Sequence, residues 1–340
     1  MIRLAMLGTG SIAQSHAGAA QSIADCEIVA VVNHRPESMA QFANAYNVPR
    51  QYATLDALIA DGDIDAVIVG TPNALHAEQS IAALNAGIHV LLEKPMAMNA
   101  TEARAILAAS ESSAALLQVA HCLRFIPDLE ALRDLITAGA IGDVVRTQGY
   151  GLHADWGPSG WFTQRELSGG GALIDMGLHA IDAARFVLGD PAPRSVFARL
   201  GSYYGDYDVD DTGFIVIEWA GDVVSTVEFG WRQPHAEGVV GSTHFYGREG
   251  YARLFPTRLT QTKTGHDTVE RLPLPAADIS DLDSVFAVMY RAQLQHFLDC
   301  IESDSEPSPG AREGCEIMRI VDAAYESSHR GQVMFLRDEP

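Results

Sequence analysis

"MLGTGSIAQSHAG", residues 6–18, sets two glycines one residue apart, directly after the apolar run IRLAML (2–7). The spacing Gly8-x-Gly10-x-x-Ala13 assigns each small residue a task. Gly8 permits a tight turn, Gly10 lets backbone N–H groups approach a phosphate, and Ala13 allows close helix–strand packing. A helix starting here would add unpaired N–H donors and partial positive charge. Alone the motif is weak. Between a strand and a helix of a βαβ unit it reads as a dinucleotide-phosphate site, with Gly8, Gly10, Ser11 and Ile12 as candidate contacts.

The surrounding pattern supplies that context. Short apolar runs at 2–7, 27–32, 65–70, 88–93 and 115–120 alternate with helix-like stretches at 11–23, 36–46, 54–60, 74–86 and 100–112. The runs are almost continuously apolar, as parallel strands covered on both faces are. The expected architecture for 1–121 is a doubly wound parallel sheet.

From about residue 143 the period changes. Consecutive strand candidates lie at 143–150, 195–204, 212–220, 223–231 and 242–247, with Gly221-Asp222 as a hairpin signal. Helices are expected at 128–138, 171–188, 284–302 and 311–329. Residues 122–340 thus read as an α+β domain with a largely antiparallel sheet, one face of it open.

Composition narrows the function. A formal charge of −21 opposes binding to nucleic acid. No apolar run approaches a membrane span, and no secretory leader is evident, which predicts a cytoplasmic protein. Cys26, Cys122, Cys300 and Cys315 are scattered without metal-ligand spacing, and no metal site is expected.

The end of the second strand reads Asn33-His34-Arg35. An NAD site usually has a carboxylate there for the ribose 2′-hydroxyl. Its absence, with Arg35 available to a 2′-phosphate, favours NADP over NAD. Asn33 can still bond a free hydroxyl. Glu93-Lys94-Pro95 follows the fourth run, and a fixed ammonium there would polarise a substrate oxygen. The proline restricts Lys94 to extended backbone. Further on, Asp175 and His179 are four residues apart, which on an α-helix is one face, and a His beside a carboxylate suits a general base. Read alone, a histidine in this position is more often a structural residue than a base. Asp182 and Arg185 read as an ion pair.

These segments together resemble the Gfo/Idh/MocA oxidoreductases. The likeness is carried by GTGSIAQSH (8–16), TPNALHAEQSIAALNAGIHVLLEKPMA (71–97), LRFIPDLEAL (123–132), AIGDV (140–144), SGGGALIDMGLHAID (168–182) and CEIMRIVDAAYESS (315–328). It implies an N-terminal Rossmann domain and a C-terminal domain whose sheet mediates a homodimer or homotetramer. It implies catalytic roles for Lys94, Asp175 and His179. Thr71, Pro72, Asn73 and His76 would lie beside the nicotinamide-proximal ribose and phosphates, with Glu93 anchoring the ribose or the loop. Arg124, Trp161 and Arg165 are candidates for the wall of the substrate cleft or, equally, for packing within the domain. The implied activity is hydride transfer between NAD(P) and a sugar, cyclitol or related polyhydroxy substrate. A non-catalytic NAD(P)-binding regulator and an NAD-dependent glycosidase are the alternatives.

Overall fold

The computed structural model describes residues 1–154, 156–233, 242–262, 270–271 and 282–337. The chain forms two compact units. The first comprises Met1–Cys122 and Asp283–Cys315; the second comprises Leu123–Leu282 and Glu316–Pro340.

In the first unit, β1 (Ile2–Leu7), α1 (Ser11–Gln21), β2 (Cys26–Val32), α2 (Pro36–Tyr46), β3 (Arg50–Tyr52) and α3 (Leu55–Asp61) run outward to one side. The chain then returns through β4 (Ala66–Val69), α4 (His76–Asn85), β5 (His89–Glu93), α5 (Ala100–Ser112) and β6 (Leu117–Ala120). The sheet order is β3-β2-β1-β4-β5-β6 and every pairing is parallel. Leu4–Leu7 and Ala66–Val69 are fully buried, which is why both runs are apolar at successive positions. The winding direction reverses between β1 and β4, so a crevice opens at their carboxyl ends.

The expected boundary at 121/122 needs one correction. Residues 283–315 pack with the first unit rather than with the remainder of 122–340. The reason lies at β6, the sheet edge. Val119 N–H donates to the Pro309 carbonyl at 3.0 Å, and Gln118 Nε2 donates to the Gln293 carbonyl at 3.2 Å. An edge strand left open would present unpaired backbone groups.

The second unit contains α6 (Pro127–Thr137), β7 (Val144–Leu152), α7 (Arg165–Ser168), a π-wound turn (Leu173–Gly177) and α8 (Leu178–Val187). It continues with β8 (Pro193–Gly201), β9 (Thr212–Trp219), β10 (Val224–Gly230), β11 (Thr243–Gly247), β12 (Gly250–Arg253), β13 (Arg258–Gln261) and β14 (Glu270–Arg271). Of the last elements, α9 (Leu282–Ser303) lies almost wholly in the first unit, α10 (Ala311–Arg330) begins there and runs into the second, and β15 (Met334–Phe335) closes the chain. The nine-stranded order is β14-β13-β12-β11-β7-β10-β9-β8-β15, antiparallel except for β7 beside β10. The β9–β10 turn carries Gly221 and Asp222 at φ 91° and 64°, as a primed hairpin requires. The alternating set Val227, Phe229 and Trp231 is buried. Where α8 crosses this face, a Cβ on Gly149 would lie 2.9 Å from the Ala180 Cβ, so glycine permits the close approach. The short strands β3 and β12 to β15 carry no periodic signal and were not expected.

Candidate active site

The glycine turn lies in the crevice. Gly8 sits at φ 93°, and a Cβ there would be 2.5 Å from the Gly70 carbonyl oxygen, so β1 and β4 close only around a glycine. Gly10 differs: among the described residues nothing lies within 4 Å of where its Cβ would be, so their packing does not demand glycine. No side chain caps α1, and its first turn holds no acid. The helices α2 to α5 each carry one there: Glu37, Asp56, Glu78 and Glu102. An open set of N–H donors with no adjacent carboxylate fits a pyrophosphate.

At the end of β2, Asn33 Nδ2 donates to Thr9 Oγ1, and Asn33 Oδ1 accepts the Arg35 N–H at 3.0 Å. Asn33 therefore ties the glycine turn to this strand end. Exposed Arg35 directs Nε toward His34 Nε2 at 3.3 Å.

The ends of β4 and β5 are braced together. Thr71 Oγ1 donates to Gln79 Oε1 at 2.7 Å. His76, expected beside the cofactor, is instead 1% exposed. Its Nδ1 is 2.8 Å from the Pro95 carbonyl and its Nε2 is 2.9 Å from the Thr71 carbonyl, so the neutral ring donates to one loop while lying against the other. Burial holds its pKa below the ordinary histidine value. Asn73 is also buried, and Pro72 is half-buried. The Lys94–Pro95 bond is cis. Lys94 is half-buried; its N–H donates to Glu93 Oε2 at 3.1 Å, and Glu93 Oε1 lies 2.7 Å from His16 Nε2.

In the second unit, every residue from Gly170 to Val187 is buried except Asp175 and His179. Those two are half-buried, in a segment otherwise turned inward. Asp175 lies in the π-wound turn, so the α-helical four-residue spacing does not describe the pair. Trp231, 1% exposed, donates its Nε1–H to Asp175 Oδ2 at 3.0 Å. Buried Asp210 fixes the start of this segment. Its carboxylate accepts N–H bonds from Gly171 (2.9 Å) and Leu173 (2.8 Å) and the Tyr325 hydroxyl (2.8 Å). Burial raises the Asp210 pKa, and the donors oppose that rise. Asp211 accepts from the backbone of Tyr203 and Tyr204 and from the Tyr207 hydroxyl at 3.0 Å; the Tyr207 ring meets Trp231 edge-on at 6.1 Å. Asp210, Asp211 and Tyr325 were not singled out in the sequence, and Trp231 reads there only as one of the alternating apolar residues Val227, Phe229 and Trp231.

Two expectations are decided by burial. Of the two readings of Arg124, packing holds rather than the cleft wall: it is 2% exposed and its guanidinium is bonded to Asp182 and Asp190. Asp182 accordingly pairs with Arg124 rather than Arg185, which bonds Asp190 at 3.0 Å. Buried carboxylates need such partners, and removing one partner costs about 3–5 kcal/mol. Arg165 is exposed, but Nε and Nη2 hold the Asp208 carbonyl at 3.0 and 2.8 Å. Trp161 stacks on Phe162 at 3.9 Å between ring centroids. Among the described residues, no group of three His, Cys, Asp or Glu is placed to hold a metal, and no helix is long and apolar enough to cross a membrane.

Residues 2–121 match the family model for oxidoreductases with an NAD-binding Rossmann fold, and residues 129–253 match the GFO/IDH/MocA C-terminal domain. The chain is 30% identical to D-glucoside 3-dehydrogenase of Escherichia coli K12, covering 97% of this chain and 96% of that one. It is 29% identical to 1,5-anhydro-D-fructose reductase of Ensifer adhaerens, covering 98% of each. A levoglucosan dehydrogenase solved with NADH and L-sorbose shares the fold at TM-score 0.90 and 24% identity, over 99% of each chain. With both halves matched in order and the likeness running nearly end to end, this chain belongs to the Gfo/Idh/MocA oxidoreductase family.

Proposed function

We propose that the protein moves a hydride between NAD(P) and a hydroxyl- or carbonyl-bearing carbon of a sugar, cyclitol or related polyhydroxy compound, with NADP preferred. The observation that carries this reading is the open helix start at Gly10, in the same unit as the braced Lys94 loop. The names of the two curated relatives, a glucoside dehydrogenase and an anhydrofructose reductase, support the substrate class.

The N–H groups at Ser11 and Ile12 would hold the pyrophosphate, and a bound nicotinamide supplies the hydride acceptor. His179 removes the proton from the substrate hydroxyl. Asp175, held by Trp231, orients His179 and stabilises its charge. Lys94 donates a hydrogen bond to the reacting oxygen, stabilising the charge that develops there. In reverse, the same groups protonate a carbonyl oxygen as it is reduced. The preference for NADP rests on the missing carboxylate after β2 and on exposed Arg35, whose guanidinium matches a phosphate bidentately.

Absorbance of reduced nicotinamide tests the reading, with NAD or NADP and a panel of sugars, sugar acids and inositols. Expected is turnover that falls at least about 1,000-fold in Lys94→Ala and in His179→Ala. Arg35→Ala should reduce the NADP/NAD ratio of kcat/KM by roughly tenfold. Turnover that survives both catalytic substitutions would refute these roles.

A further inference from the structure

The first unit contains a buried polar pair that the proposed chemistry does not use directly. His16 is 0% exposed and Glu93 is 5% exposed. They meet at 2.7 Å through Nε2 and Oε1. The other ring nitrogen, Nδ1, has no hydrogen-bond partner among the described residues, so the ring's one polar contact is Glu93. Tyr290 of α9 seats the ring edge-on at 5.2 Å. A buried ionisable pair is a poor source of stability, because apolar side chains of like volume often serve as well. What it supplies is direction.

The direction is informative. His16 stands on α1, about 7.5 Å along the helix from Ser11 at 1.5 Å rise per residue. Glu93 ends β5, and its second oxygen accepts the backbone N–H of Lys94 at 3.1 Å. One carboxylate therefore bonds both the helix of the glycine turn and the backbone of the lysine. We propose that His16 is a positioning residue for Lys94: the His16–Glu93 bridge registers the lysine against the helix that receives the cofactor phosphates. The proposal rests on the functional reading above. In it, His16 touches neither substrate nor cofactor and acts only through Glu93.

The chain makes a clean test possible, since Lys94 and Lys263 are its two lysines. His16→Leu fills the space and donates nothing; His16→Gln places an amide N–H near the former Nε2. Three quantities are compared with wild type: the cofactor dissociation constant, kcat, and the rate of reductive methylation of Lys94 in cofactor-free protein, read by peptide mass spectrometry. In His16→Leu, cofactor affinity should stay within about threefold while kcat falls roughly 10- to 100-fold, as small misplacements of reacting groups do. Lys94 methylation should change at least about threefold, and His16→Gln should recover most of both effects. Unchanged kcat and methylation in His16→Leu overturn the proposal. So does a loss of kcat that only follows lost cofactor affinity or a lowered melting temperature, or one that glutamine fails to rescue. If wild type turns over none of the panel, the functional reading fails, while the methylation rates still decide whether the bridge holds Lys94.

Discussion

Two glycine-rich stretches precede helical segments in this chain, Gly8-Thr9-Gly10 and Gly169-Gly170-Gly171, and they use glycine for opposite reasons. At Gly10 no described atom lies near the position of a Cβ, and among the described residues no side chain caps the helix start behind it, whose first turn holds no acid. At Gly171 a Cβ would lie 1.8 Å from the Asp210 carbonyl oxygen, and at Gly170 one would lie 2.0 Å from the Tyr325 hydroxyl. There the Asp210 carboxylate already accepts the Gly171 and Leu173 N–H groups. The second stretch is closed by the chain's own carboxylate, whereas the first meets no such carboxylate among the described residues, as the proposed phosphate site requires. Glycine in a sequence thus says that space is needed; only the neighbours say for what.

The contrast predicts separable losses. Gly171→Ala carries the largest effect. Its methyl group meets backbone that cannot swing aside, so stability should fall by about 3 kcal/mol or more in urea melts. Asp210→Asn should cost about 2 kcal/mol by disturbing a buried donor set, with cofactor affinity unchanged in the folded protein. Gly10→Ala should show the reverse: a melting curve like wild type's, and cofactor binding at least tenfold weaker in a fluorescence titration, about 1.4 kcal/mol. Equal losses of stability at Gly10 and Gly171 would erase the distinction. Ser11→Asp sharpens it further. An acid in the first turn of α1 should stabilise the helix by about 0.5 kcal/mol while weakening cofactor binding.

A smaller effect concerns the brace between the β4 and β5 ends. Burial lowers the folded-state pKa of His76, whereas the unfolded chain takes up that proton near 6.5. Between the two values the unfolded state binds more protons, so this stability is present above pH 6.5 and is lost as pH falls toward the folded-state pKa. Melts of His76→Gln should therefore lose less stability than wild type between pH 8 and 5.5. Parallel pH profiles would contradict a lowered pKa for buried His76.

The sheet of the first unit was legible because its signals are local. Apolar runs, a glycine turn and Glu93-Lys94-Pro95 each occupy a few consecutive residues. The supports of Asp175 were not, because Trp231 reaches it across 56 positions and Asp210 reaches Leu173 across 37. Local spacing also misled. Asp182 and Arg185 stand three apart, yet Asp182 turns inward and meets Arg124, 58 residues earlier. Arg124 read equally as cleft wall or packing residue, and only its burial decides between them. His16 appeared only as one letter of a motif; its partner Glu93 lies 77 residues on.

Hydride transfer itself is tested most directly with a substrate deuterated at the reacting carbon. Expected is one deuterium in the reduced nicotinamide per oxidised product, with both forming at least about 1,000-fold more slowly in Lys94→Ala. Product formed without a matching amount of deuterated, reduced cofactor would contradict it.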